Sequence, residues 1–354
     1  MLDLEGLFVI VAEVEKVAKN PIISRLSVAI TVVIGFTGIA FSAGGPGSTA
    51  APFLKLPTGA RAIGMGESYV ASGDDVQAIG WNPAGITKTK VRQLTFMHSE
   101  WIEGIRYESL AYAQPLTGFI SLGGGVDFLI TSPIDRTVFA SGAEVAGMQQ
   151  GPEVWGIDSG SGTFDVSNVV VTAAGAVDAS AMHWIPIPNV QLGATARALV
   201  QKVDKQSDFG AVVDIGALYT PETVPDMRLA MVAQNIGPAL GKGSASALPP
   251  ISFRAGVAYW LFNRVMVVES DLYQPIDMPL RWSFGTEYWY RNAIAFRAGY
   301  KLQGKPDLNE YKTNGLEGFT LGAGFRFLPV QVDYSYATLG FLGQAHRVSL
   351  TVNL

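Results

Sequence analysis

From about residue 90 onward, hydrophobic and polar positions alternate with a period of two. Val348, Leu350, Val352 and Leu354 are interleaved with Arg347, Ser349, Thr351 and Asn353, and Val330, Val332, Tyr334 and Tyr336 with Gln331, Asp333 and Ser335. Phe319, Leu321, Ala323, Phe325 and Phe327 follow the same rule, as do Ile251, Phe253, Ala255, Val257 and Tyr259. Side chains on a strand point alternately to its two faces, so each segment reads as a strand with one apolar and one polar face. The pattern predicts strands over 91–99, 106–115, 118–129, 168–184, 190–202, 208–219, 227–236, 250–261, 265–274, 281–290, 293–302, 318–327, 330–338 and 345–354. That is fourteen, an even number. The weakest is the fourth, where VVVTAAGAVDASAMHWI alternates poorly.

Connection lengths point the same way. Short segments near 115–118, 185–189, 220–226, 262–264, 291–292 and 328–330 take turns with longer ones that include 130–167, 237–249 and 303–317. Barrels of the bacterial outer membrane combine short periplasmic turns with long external loops in this manner. The competing architecture is a soluble two-layer sandwich with polar outer faces. Such a surface would use lysine freely, yet all eleven lysines lie at strand ends, in loops or near the amino terminus. The polar faces carry Arg197, Arg228, Arg254, Arg281, Arg297, Arg326 and Arg347 with Asp214, Glu269, Asp271, Glu287 and Asp333. Guanidinium and carboxylate groups so distributed are suited to pairing across a narrow polar lumen while the apolar set faces lipid. Tyr219, Tyr259, Trp260, Tyr273, Trp282, Tyr288, Tyr290 and Tyr300, near strand ends, are the expected interfacial girdles.

Composition supports a membrane barrel. Charged residues make up 16% of the chain, against about 25% in soluble proteins, and 40 of 354 residues are glycine. Glycine at that level disfavours helical bundles, where each costs about 1 kcal/mol relative to alanine. The net charge of -5 argues against a nucleic-acid partner. With no cysteine, disulfides, thiolate metal sites and lipid attachment at an amino-terminal cysteine are excluded.

The first 42 residues read as a signal peptide with an extended front region: LSVAITVVIGFTGIAF over Leu26–Phe41 follows Lys16, Lys19 and Arg25 and leads to Ala40, Ser42 and Ala43. Sixteen uncharged residues fall short of the roughly 20 needed by a spanning helix. Between this segment and the first strand, residues 43–90 lack clean alternation and contain LPTGARAIGMGESYVASGDDVQAIGWNPAG. Gly59-Ala60-Arg61-Ala62 with Gly64-Met65-Gly66, then Asp74-Asp75 followed by Trp81-Asn82-Pro83-Ala84-Gly85, form the densest block of unusual residues. Together with HSEWIEGIRY over His98–Tyr107, Val332-Asp333-Tyr334 and Arg347-Val348-Ser349-Leu350, this block resembles the PorV/PorQ family, relatives of the FadL-type fatty-acid transporters. The resemblance implies an all-β, transmembrane antiparallel β-barrel of about 14 strands over 91–354. It also implies that 43–90 form a hatch inside the lumen, in the outer membrane of a Gram-negative-type bacterium. In FadL-type proteins a kinked early strand opens a lateral path to the bilayer; Gly123-Gly124-Gly125 in the third predicted strand are candidates for such an opening, or for making room for the hatch.

Catalytic chemistry finds no foothold. There are three histidines, and no HExxH, GxSxG or GxxxxGK motif. His98, Ser99 and Glu100 are sequential on a strand and point to opposite faces, so they form no relay. Asp74 and Asp75 read as a cap or an arginine partner before a cation site. Neither a cofactor nor a resident metal is expected. The loop over 139–163, with Gly142, Gly151, Gly156, Gly160 and Gly162, reads as flexible external chain. Two roles follow from the resemblance. One is PorV-like: binding the carboxy-terminal signal domains of secreted proteins for surface attachment in a type IX-like system, through the external loops and Trp101. The alternative is FadL-like passage of a hydrophobic ligand. An apolar pocket under the external loops separates them, because transport needs one and cargo docking does not.

Overall fold

The computed structural model describes residues 45–135, 137–140, 154–157, 162–182, 185–241, 246–303, 317–340 and 343–354. The expected signal peptide over 1–42 and most of the glycine-bearing loop over 139–163 lie outside these residues. Seven strands form the first half of the main sheet: β1 Gln93–Glu100, β2 Arg106–Pro115, β3 Ile120–Ile130, β4 Val166–Asp178, β5 Val190–Val203, β6 Gln206–Tyr219 and β7 Met227–Ile236. The second half is β8 Ser252–Leu261, β9 Met266–Pro275, β10 Arg281–Tyr290, β11 Ile294–Gln303, β12 Phe319–Phe327, β13 Val330–Thr338 and β14 Gln344–Asn353. Each pairs antiparallel with its neighbour in the chain, and β1 pairs with β14 from Gln93↔Asn353 to Glu100↔His346, closing a fourteen-stranded barrel. Closure leaves no strand edge unpaired. Two short hairpin pairs, Ile134–Asp135 with Thr163–Phe164 and Thr137–Ala140 with Val154–Ile157, extend the connection between β3 and β4.

Every strand lies within two residues of its predicted bounds except the fourth. There the prediction of 168–184 is corrected to Val166–Asp178. Asp178 starts a turn: its carboxylate accepts from the Ala181 N–H at 3.1 Å and its carbonyl from the Met182 N–H at 3.2 Å. The poor alternation has a packing cause, since the inward positions Val170, Ala174 and Ala176 are buried against apolar neighbours inside the barrel. Two connection lengths also depart from strict alternation. The segment 179–189 makes a longer connection at the end that carries the short turns, and β5 and β6 are joined at the opposite end by a tight hairpin through Asp204, at φ 54°. These ends are called the turn end and the loop end below.

Phe96, Leu110, Ile215, Phe296, Phe325, Val348 and Leu350 are exposed on the outside of the barrel. The inside is filled by residues 45–90. Ala60 N donates to Ser349 Oγ on β14 at 2.9 Å, Tyr69 N to Asp271 on β9 at 2.9 Å and Asn82 Nδ2 to the Ala217 carbonyl on β6 at 3.1 Å, so the segment reaches strands on all sides. It begins at the loop end, where Ala50 N bonds the Leu248 carbonyl at 2.9 Å and Thr49 Oγ1 donates to Asp277 at 2.7 Å. Its local structure follows its sequence. Pro52 and Pro83 open 3-10 turns over Pro52–Lys55 and Pro83–Lys88, where a missing N–H costs nothing. Asp75 and Asn82 cap the turns that follow them, each accepting a backbone N–H two residues on. A single helical turn, α1 Ala60–Gly64, is bracketed by Gly59 at φ 83° and Gly66 at φ 69°, conformations that favour glycine.

The wall accommodates this segment by omitting side chains. A Cβ on Gly193 of β5 would overlap Ala84 N, one on Gly299 of β11 would overlap Gly66 N, and one on Gly322 of β12 would sit 3.0 Å from Gly64 Cα. Backbone therefore lies directly on backbone, which glycine on the wall strands permits.

Candidate functional site

Arg61 on α1 is the principal ionic tie between inner segment and wall. Its Nε and Nη2 donate to the two oxygens of Glu287 on β10 at 2.8 and 2.7 Å, and its Nη1 reaches Asp74 at 2.7 Å, Asp75 at 2.9 Å and the Tyr69 hydroxyl at 3.1 Å. Glu287 is shared with Arg297 of β11, whose Nε donates at 2.6 Å and whose Nη1 pairs with Asp333 of β13 at 2.8 Å. Burial alone would lower the Arg61 pKa, but Glu287, Tyr69, Asp74 and Asp75 outweigh it and hold the guanidinium well above its ordinary value. Burial pushes the Asp75 carboxyl up, with Arg61 opposing. A second tie lies toward the loop end: Glu67 pairs with Arg281 and, at 2.8 Å, with Lys301. Burial works against that carboxylate, yet these two cations keep it well below the usual range.

Glu269 and Asp271 on β9 serve differently. Asp271 accepts the backbone N–H groups of Tyr69 and Val70, at 2.9 and 3.2 Å, and Glu269 those of Ala71 and Ser72, at 2.7 and 3.1 Å. Arg228 Nη1 on β7 donates to the Ala71 carbonyl of the same turn at 3.1 Å. Carboxylates thus cradle a run of backbone donors that has no helix or sheet to satisfy it.

Above this region, toward the loop end, a pocket opens between the first part of the inner segment and the barrel wall. Phe53, Leu54, Leu56, Val76, Ile79 and Trp81 line it from the inner segment, and Met97, Ala111, Gly125 and Val170 from β1 to β4. Its opposite wall is polar, with Arg197, Gln234, Ser252 and Arg254. Gln77 presents both amide atoms buried and without a partner, as are Ser252 Oγ and Arg254 Nη1. The pocket meets the β2–β3 wall where exposure stops alternating: Gly123, Gly124, Gly125, Val126 and Asp127 are all half-buried. A Cβ on each of the three glycines would lie 2.8–2.9 Å from a carbonyl of a neighbouring strand, Tyr112, Thr172 and Leu110 in turn. Pairing continues in register with both neighbours through this stretch.

The residues singled out from the sequence fall as follows. Gly59, Arg61, Gly64, Gly66, Asp74, Asp75, Trp81, Asn82, Pro83, Ala84 and Gly85 all lie within the inner segment; the Trp81 ring donates to the Thr58 carbonyl at 2.9 Å and sits edge-on to Tyr69. Of the twelve wall charges, Arg197 pairs with Asp214 at 2.6 Å, and Arg297 with Glu287 at 2.6 Å and Asp333 at 2.8 Å, from strand to strand. Arg228, Arg281, Glu269, Asp271 and Glu287 reach the inner segment. Arg254 donates to Gln234 at 2.8 Å and stacks on Tyr273 and Trp81, while Arg326 lies 3.9 Å over Trp289. Arg347 is buried with its Nε unpartnered. Two expected girdle residues are corrected: Trp260 and Tyr273 turn inward, because strand parity puts them on the face of Arg254 and Asp271, where they support guanidinium groups. Trp101, between β1 and β2, donates its backbone N–H to the Ile105 carbonyl at 2.8 Å. His98 points outward and pairs with Glu108 at 2.7 Å. Among the described residues no cluster of three His, Asp or Glu is placed to hold a metal.

What sequence reasoning missed is the apolar part of the inner face. Met97, Val170, Leu199, Val212 and Leu218 point inward and are buried. Small or apolar residues on an otherwise polar strand face were the available signal.

Comparison with known proteins agrees with the architecture. Residues 31–147 match the model of a family described as Uncharacterised protein family (UPF0164). Among curated proteins none matches the sequence. Among solved structures, the CymD monoaromatic hydrocarbon channel superposes with a TM-score of 0.55 at 14% identity, over 84% of this chain and 97% of that one. The Pseudomonas putida toluene transporter TodX gives 0.53 at 12% identity, covering 88% and 98%. A Pseudomonas aeruginosa FadL homologue gives 0.50 at 11%, covering 84% and 98%. At these identities the likeness is one of fold, a closed barrel of the kind found in outer-membrane channels.

Proposed function

We propose that this chain is an outer-membrane channel for hydrophobic small molecules. The observation that supports this reading is the pocket at the loop end, lined on one side by Phe53, Leu56, Ile79, Met97 and Val170 and reaching the wall at Ala111 and Gly125. A chamber of that kind serves ligand passage and is not required for docking a protein on external loops. The barrel's exposed apolar outside is suited to lipid, with the loop end external and the turn end periplasmic. In this scheme residues 45–90 are the hatch that closes the lumen, and the glycine-rich stretch of β3 at Gly123–Gly125 is the lateral opening from pocket to bilayer. The fold likeness to hydrocarbon channels favours transport over the secretion role suggested by the PorV/PorQ resemblance.

The test is uptake of radiolabelled toluene by cells producing the chain and by cells producing Ala111→Phe, whose added ring would occupy the pocket at its β2 wall. Uptake should exceed that of vector-only cells and return to their level in the variant. Equal uptake in all three would sink the transport reading, and co-purification of secreted proteins with both chains would then favour the secretion role.

A further inference from the structure

Part of the pocket's polar wall is satisfied within the protein and part is not. Arg197 is held by Asp214 at 2.6 Å, Gln234 Nε2 donates to the Gly80 and Trp81 carbonyls at 3.2 and 3.3 Å, and Asn235 Nδ2 donates to the Pro250 carbonyl at 3.2 Å. Three other side chains lining the same pocket keep polar atoms without a partner among the described residues. Gln77 is 5% exposed and lacks one at both Nε2 and Oε1; Ser252, 1% exposed, lacks one at Oγ, and Arg254, 7% exposed, at Nη1. Buried amide and hydroxyl groups are seldom left in that state, because each unmade hydrogen bond is costly.

Contacts gather the three at one end of the pocket. Gln77 rests its amide oxygen on Gly59, where a Cβ would overlap it. The Trp81 indole donates to the carbonyl of the adjoining Thr58 at 2.9 Å, and the Arg254 guanidinium lies 4.9 Å from the centre of the Trp81 ring. Ser252 stands two positions before Arg254 on β8, on the same inward face. The apolar side begins beside them, at Met97, whose sulfur takes the Gly59 N–H at 3.0 Å. The Arg254 charge is already met by the Tyr273 ring, 3.9 Å from its centre, and its Nε is taken by Gln234 Oε1 at 2.8 Å. The site therefore offers hydrogen-bond donors and an acceptor together, not a bare cation.

We infer that the ligand of this pocket carries a hydroxyl group: its class is a phenol or another alcohol with an apolar body, in place of a plain hydrocarbon. The inference rests on the reading of the pocket as a ligand chamber. A hydroxyl oxygen accepts from Arg254 Nη1 or Gln77 Nε2 while its proton goes to Gln77 Oε1. A carboxylate only accepts and leaves Oε1 unmet, and a hydrocarbon leaves every one of these atoms unmet. Water makes the same bonds, so a ligand that displaces it keeps them only by bringing a hydroxyl of its own. Sites built in this way discriminate strongly against the analogue that lacks the group.

Equilibrium dialysis of the purified chain in maltoside detergent, corrected with protein-free micelles, tests this with four probes of similar shape: p-cresol, toluene, p-methylanisole and p-toluate. p-Cresol should bind about tenfold more tightly than toluene, the ordinary worth of a buried hydrogen bond, and more tightly than p-methylanisole and p-toluate. In Gln77→Leu and in Ser252→Ala the ratio of p-cresol to toluene affinity should fall toward one, with heat-modifiable gel mobility showing that each variant is a folded barrel. The wild-type series decides even where a variant fails to fold. Equal binding of p-cresol and toluene, or a ratio unchanged in both folded variants, would overturn the inference and leave the transport reading standing. So would p-methylanisole binding as tightly as p-cresol, because the hydroxyl proton would then go unread, or p-toluate binding more tightly, because Arg254 would then take an anion. Binding of none of the four would remove the transport reading together with the inference.

Discussion

Replacing Arg61 by methionine keeps much of the side-chain volume and removes the charge that ties the inner segment to the wall. The loss can be worked from its partners. Arg61 is 7% exposed and makes five short contacts, two of them to Glu287. Removing one member of a buried ion pair costs about 3–5 kcal/mol, mostly from the charge left behind. Here that residue is reduced: Glu287 keeps Arg297 at 2.6 Å, Asp75 keeps the Gln77 N–H at 2.9 Å, and Asp74 is 42% exposed and returns to water. The lower bound of about 3 kcal/mol is therefore the expected loss. At 1.4 kcal/mol per factor of ten, opening of the segment should rise about a hundredfold. The barrel ladder makes no use of Arg61 and should be untouched. Hydrogen exchange followed by mass spectrometry separates the two, because peptides over 59–75 should exchange about a hundredfold faster while those from β4 to β6 keep their protection. Unchanged exchange in the inner segment would refute the reasoning, and so would equal acceleration in the strands.

Gly299→Ala should loosen the same segment by steric means, since the new methyl group would overlap Gly66 N; the expected result is faster proteolysis between Gly59 and Lys90 with barrel gel mobility retained. If the variant instead protected that segment, the close backbone approach would be wrong. Stability should rise with pH above about 8: burial, then the Arg228 and Arg264 charges, bring the Lys88 pKa down to about 8, so between there and the ordinary lysine value the unfolded chain binds the extra proton. A thermal midpoint of the purified barrel that stays flat across this window, or that rises equally in Lys88→Gln, would refute that assignment.

The barrel was legible because its signal is repeated. A period of two recurs in strand after strand, and in a closed antiparallel ladder each strand pairs with its chain neighbour, so position in the sequence already gives position in the sheet. The exception is instructive. In β4, Val170, Ala174 and Ala176 are apolar on the inner face because they pack inside a filled lumen, and polarity therefore no longer marks which way a residue points. The same cause hid Met97, Leu199 and Val212, and strand parity alone would have turned Trp260 and Tyr273 inward. The residues of the inner segment stood out by their types, Arg61 and the Asp74-Asp75 pair above all. Their grouping around Glu287, more than two hundred positions away, is not written in any local pattern.

Alternation, connection length and the scarcity of lysine determined by themselves that the chain makes fourteen paired strands with an apolar outside, because lipid and backbone hydrogen bonding act on each strand locally. Only the tertiary structure decided which lumen charges meet one another and which hold the inner segment, and where the apolar pocket lies. Those outcomes depend on contacts between residues far apart in the chain. They arise only once the wall has closed around a segment whose backbone fits against its glycines.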